Sequence, residues 1–145
     1  MKKVLFFDDE PFITKYLIKS LREIYGWKGD KEITFVSTVD ELLDEIIHNT
    51  EAYDLFVLDI MAPIPSVGLK GSLSKEEKNK MDDGMNTGLV LAEIIRKKNK
   101  TVPVLFLSAK QKPANMVLNN ITDYKRKPVS PEEISNKMNE LLNAH

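Results

Sequence analysis

The sequence predicts one α/β domain: a parallel, doubly wound sheet covered by helices on both faces. Two observations predict it. Short apolar, strand-like runs alternate with segments whose apolar residues recur at helical spacing, and the runs end on charged or hydroxyl side chains. The clearest run is Tyr53 to Asp59, almost unbroken in its apolar character, as expected of a strand buried on both faces. In open α/β sheets ligands bind at the carboxyl edge, so Asp59 is either a solvated residue opening a loop or a reactive carboxylate.

Taken in order, Lys3 to Phe7 is a strand ending on Asp8-Asp9-Glu10. Pro11 suits a first helical turn, and Ile13, Leu17, Leu21 and Ile24 carry a helix to about Tyr25, where Gly26 and Gly29 break it. Ile33 to Val36 is a second strand, and a helix beginning at Asp40 sets Leu42, Leu43, Ile46 and Ile47 on one face. The third strand is Tyr53 to Asp59. A helix from about Gly88 to Lys98 and a strand from Val102 to Leu107, ending on Ser108-Ala109-Lys110, follow a long irregular stretch. A short helical piece is expected from Pro113 to Asn120, with Val117, Leu118 and Ile121 as apolar contacts, then a brief strand Thr122 to Lys125 before Lys127-Pro128. Ser130 as cap, Pro131 in the first turn and Glu133 three after the cap start the last helix, on Ile134, Met138, Leu141 and Leu142. Five strands and five helices in strict alternation imply right-handed βαβ units and a flavodoxin-like fold, strand order 2-1-3-4-5.

Composition limits what such a domain does. The 145 residues suffice for one core without disulfides or a structural metal, and the absence of cysteine removes thiolate chemistry. A net charge of -1 gives no global attraction to nucleic acid or to an anionic membrane. Neither a signal peptide nor an apolar run near the roughly 20 residues of a membrane span is visible, so a cytoplasmic location is expected.

The strand ends collect Asp8 and Asp9, Asp59, Ser108 and Lys127, which would converge on one edge. Three carboxylates together repel one another and stay ionised only with positive charge between them. Hard oxygen ligands of this kind suit Mg²⁺. A carboxylate can then attack phosphorus while Mg²⁺ and the lysine neutralise charge on the equatorial oxygens and the hydroxyl hydrogen-bonds one of them. His48 and His145, in a helix and at the terminus, offer no metal pair or Ser-His-Asp triad.

Strand-Asp8-Asp9-Glu10-Pro11, strand-Asp59 with Pro63 soon after, strand-Ser108-Ala109, and Tyr124 three before Lys127-Pro128 together resemble the receiver domain of two-component response regulators. The resemblance spans nearly the whole chain, as one domain over residues 1–145. It implies that Asp59 is the phosphoacceptor, that Asp8, Asp9, Asp59 and the main-chain carbonyl of Met61 bind Mg²⁺, and that Ser108 and Lys127 contact the phosphoryl group. It makes Ser108 and Tyr124 the switch pair and the Lys127-Pro128 bond cis. A histidine kinase or phosphotransfer protein would be the donor and a downstream protein the target, with no nucleic acid or membrane bound. The domain would signal rather than turn over a substrate, acting only on its own phosphorylation and dephosphorylation.

Departures from that pattern are informative. Asp59 to Gly88 is about twenty residues longer than the family's short loop, an insertion over about 64–87. It reads as a solvated loop with one helical turn around Ser74 to Met81, or as a lid or partner-binding segment. The short link from Ser108 to Lys127 trims the fourth helix. With no output domain after the last helix, the chain either acts by protein contact or is part of something longer. Two alternatives stay open: an unphosphorylated pseudo-receiver binding module, and a haloacid-dehalogenase-like phosphatase, which wants an acid two residues after the nucleophile where Met61 stands.

Overall fold

A computed structural model describes residues 1–63 and 73–144. Residues 64–72 of the expected insertion, the side chains of Pro11 and Ile13, and His145 lie outside the described residues.

Strands β1 (Lys2–Phe7), β2 (Lys31–Val36), β3 (Leu55–Asp59), β4 (Val104–Ser108) and β5 (Thr122–Arg126) form one sheet in the order β2-β1-β3-β4-β5. Every pairing is parallel, in keeping with the unbroken apolar runs of β1, β3 and β4. All residues of β3 and β4 are buried, so the centre of the sheet is dry on both faces.

Helices α1 (Pro11–Glu23), α2 (Val39–Asn49), α3 (Lys75–Lys80), α4 (Thr87–Lys98) and α5 (Pro131–Asn143) complete the fold. Their starts follow from local chemistry. Pro11 opens α1, while the Thr38 hydroxyl accepts the Glu41 N–H at 3.1 Å, so α2 starts just before the expected Asp40. Ser130 accepts the Glu133 N–H at 3.1 Å at the head of α5, as its sequence signals. One face of the sheet packs on α2 and α4 through Leu5, Phe7, Leu42, Phe56, Leu58, Leu91 and Phe106. The other packs on α1 and α5 through Val4, Phe6, Leu21, Val57, Leu105, Ile134 and Met138. Trp27 joins this second face, fully buried, with its Nε1–H donating to Ser135 Oγ at 2.9 Å.

Two expectations change in the connections. The helical piece over 113–120 does not form: the link from β4 to β5 is irregular, and Val117 is 75% exposed. Few residues remain to cross back over the sheet, and extended backbone covers about twice the distance per residue that a helix does. Inside the insertion the helical turn read around Ser74 to Met81 does form, as α3, opened by a capping box of Ser74 and Glu77. The helix itself buries nothing, but Leu73 before it and Met81 after it are 7% and 0% exposed and belong to the core beneath α2 and α4. The returning part of the insertion is therefore anchored.

Candidate functional site

Register places the side chains singled out in the sequence. Phe7 pairs with Leu58, which sets Asp8 level with Asp59, and Asp59 pairs with Leu107, which sets Ser108 one step beyond. Ser108 pairs with Arg126, so Lys127 follows immediately, its N–H donating to the Ser108 carbonyl at 2.8 Å. The four strand ends thus meet at one edge, and the Lys127-Pro128 peptide bond is cis.

Asp8, Asp9 and Asp59 each offer a carboxylate oxygen, all within 4.8 Å of one another. Lys127 Nζ reaches between them, 2.7 Å from Asp8 Oδ2 and 3.2 Å from Asp59 Oδ2. Local backbone fixes both acids: the Glu10 N–H donates to Asp8 Oδ1 at 2.9 Å and the Met61 N–H to Asp59 Oδ1 at 3.3 Å. Asp59 is 4% exposed, and burial pushes its carboxyl up to about 7. The Lys127 charge pulls it down, and Asp8 and a hydrogen bond with Asp9 push it up again. Burial alone would lower the Lys127 ammonium, but its bond to Asp8 and the Asp59 charge hold it above its ordinary value. Three carboxylates facing one ammonium leave a deficit of positive charge, and a divalent cation with oxygen ligands fits this donor set.

A cleft of about 300 Å³ opens over the cluster, lined by Asp9, Asp59, Met61, Ala109, Lys127 and the returning turn of the insertion. That turn carries residues the sequence reasoning missed. Asp83, Gly84 and Met85 line the cleft, and Thr87 Oγ1 donates to the Ala62 carbonyl at 2.7 Å. The Asp82-Asp83-Gly84 run is a turn signal that could have marked them. Gly88 is glycine for a steric reason: a Cβ there would lie 2.1 Å from the Asp59 carbonyl oxygen. Its N–H instead donates to the Ile60 carbonyl at 2.8 Å, seating α4 against the end of β3.

Ser108 is fully buried and its Oγ accepts the Lys110 N–H at 3.2 Å, with no hydrogen bond to the acid cluster. The half-buried Tyr124 donates its hydroxyl to the Lys110 carbonyl, so both side chains expected to act as a switch are tied to the loop after β4.

A five-stranded parallel sheet in this order, covered by helices on both faces, is the CheY-like fold of response regulator receiver domains. The structural neighbours are CheY-like receiver domains aligned over nearly the full chain. The receiver domain of a Francisella response regulator is 26% identical, with 99% of this chain and 98% of that one covered and a TM-score of 0.69. TrrA of Thermotoga maritima, a response regulator protein solved in complex with Mg²⁺ and BeF, is 27% identical over 97% and 99% of the two chains, at 0.67. A receiver domain protein from Methanospirillum hungatei reaches 0.70 at 23% identity, covering 99% and 95%. No protein-family model and no curated protein sequence matches the chain.

Proposed function

We propose that the chain is a single receiver domain acting as a phosphoacceptor switch of a two-component phosphorelay, with Asp59 as the acceptor. The observation that carries this reading is the acid trio of buried Asp8, half-buried Asp9 and buried Asp59, with Lys127 bridging Asp8 and Asp59, under an open cleft.

Asp59 attacks phosphorus in line. As the new P–O bond forms, the P–N bond to a phosphohistidine breaks, its electron pair going to the imidazole nitrogen of a histidine kinase or phosphotransfer protein. Asp8, Asp9, Asp59 and the Met61 carbonyl are the residues that would hold Mg²⁺, which supplies positive charge at the equatorial oxygens and favours the ionised acceptor. The Met61 N–H keeps Asp59 Oδ1 oriented. Lys127 moves from its carboxylate partners to a phosphoryl oxygen, and Ser108 exchanges its Lys110 contact for another. Release of that contact frees the Lys110 loop and, through its hydroxyl bond there, Tyr124, which changes the surface offered to a downstream protein. Among the described residues no helix is long and apolar enough to cross a membrane.

The test is incubation with acetyl phosphate and Mg²⁺ followed by intact mass measurement. Wild type gains one phosphoryl group and Asp59→Asn gains none. No gain from acetyl phosphate or from histidine kinases would make the chain an unphosphorylated binding module, and steady phosphate release from generic esters would make it a phosphatase.

A further inference from the structure

The insertion returns to the cleft in an unusual backbone conformation. Asp82, Asp83 and Gly84 hold φ of 49°, 50° and 94° in succession, in the left-handed region that only glycine occupies freely and that Asp and Asn tolerate best. The turn is held from both sides. The Ala62 N–H donates to the Gly84 carbonyl at 3.0 Å, and the Asn86 N–H to the Met81 carbonyl at 2.9 Å. Buried Met81 and Thr87 pin its ends. A Cβ on Gly84 would lie 2.6 Å from the Ala62 carbonyl oxygen, so the close approach needs glycine.

The result is a fixed wall of the cleft that carries a charge. Four carboxylates, Asp9, Glu10, Asp59 and Asp83, and one ammonium, Lys127, are among the lining residues. Asp83 is exposed and stands outside the trio able to share a cation, so a cation held there leaves its charge at the rim. It has no ion-pair partner among the described residues.

We propose that Asp83 is a donor-specificity residue, held by its turn so that its carboxylate repels small anionic phosphoryl donors approaching Asp59. This rests on the reading of Asp59 as phosphoacceptor. With acetyl phosphate, the P–O bond to acetate breaks as the bond to Asp59 forms, acetate leaves with the electron pair, and no proton moves. The dianionic donor has to bring its charge past Asp83 unaccompanied. A phosphohistidine presented on a protein covers the rim with a surface that can set a cation against Asp83.

The experiment compares wild type with Asp83→Asn, which keeps the left-handed preference and removes the charge. Initial phosphorylation rates are read by intact mass with Mg²⁺ and either acetyl phosphate, a dianion, or phosphoramidate, a monoanion at neutral pH. For charges about one physiological Debye length apart, the acetyl phosphate rate rises about twofold near 0.1 M salt and about threefold near 0.01 M. The phosphoramidate rate rises by about the square root of those factors. Equal gains for both donors, gains independent of salt, or no gain overturn the proposal while Asp59 still accepts phosphate. Failure of wild type to gain mass with either donor overturns the phosphoacceptor reading itself, and this inference with it.

Discussion

Asp59→Asn stabilises the cation-free protein, and by an amount that grows with pH. In wild type the Asp59 carboxyl is raised from 3.8 to about 7 by burial, so folding favours its protonated form. The folded state then binds more protons than the unfolded one across this interval, and stability falls as pH rises until Asp59 is ionised in both states. Asparagine does not titrate, and its side-chain oxygen still accepts the Met61 N–H. Each pH unit between the two values is worth about 1.4 kcal/mol, so from about pH 5 to about pH 8 the variant gains about 2–3 kcal/mol on wild type. For a domain of this size that is a Tm difference widening by about 6–9 °C. Thermal unfolding at both pH values with a chelator present reads it directly. Adding Mg²⁺ at the higher pH then raises the wild-type Tm more than that of the variant, because binding to the native state offsets the repulsion. A Tm gap that stays constant or narrows from the lower to the higher pH would refute the placement of an electrostatically strained carboxylate at the end of β3.

Two further outcomes follow from packing. Met81→Ala removes a fully buried side chain from the core beneath α2 and α4 and lowers stability by about 2–3 kcal/mol in urea unfolding, whereas a purely solvated insertion would lose almost nothing. Gly88→Ala drives a Cβ to 2.1 Å from the Asp59 carbonyl oxygen, so α4 must shift away from β3, at a cost of about 3 kcal/mol or more by the same assay.

The sheet and the cluster were legible because both are written in local chemistry. Unbroken apolar runs such as Leu55 to Leu58 require burial on two faces, and a charged or hydroxyl side chain that closes such a run sits at a strand end. Four such ends, of β1, β3, β4 and β5, meet at one edge of a parallel sheet whatever the details between them, which is why Asp8, Asp9, Asp59 and Lys127 came together as expected. The connections were less legible. Leu73 and Met81 are single apolar residues in a polar stretch, with no period to announce that they enter the core. Val117, Leu118 and Ile121 have helical spacing, yet the short path from β4 to β5 overrides that preference and leaves Val117 in solvent. The contacts of Ser108 and Tyr124 with Lys110 depend on how that irregular link folds back, which no pattern in the sequence encodes.

The two apolar anchors around α3 separate its surface from its placement. Leu73 and Met81 enter the core from either end of a helix that itself buries nothing. A residue gained or lost between them pulls one of the two out of the core, whereas exchanges on the exposed side chains of α3 leave both contacts, and the turn beyond Met81, as they are. An evolving lineage can thus rewrite the surface of this helix while the cleft keeps its shape.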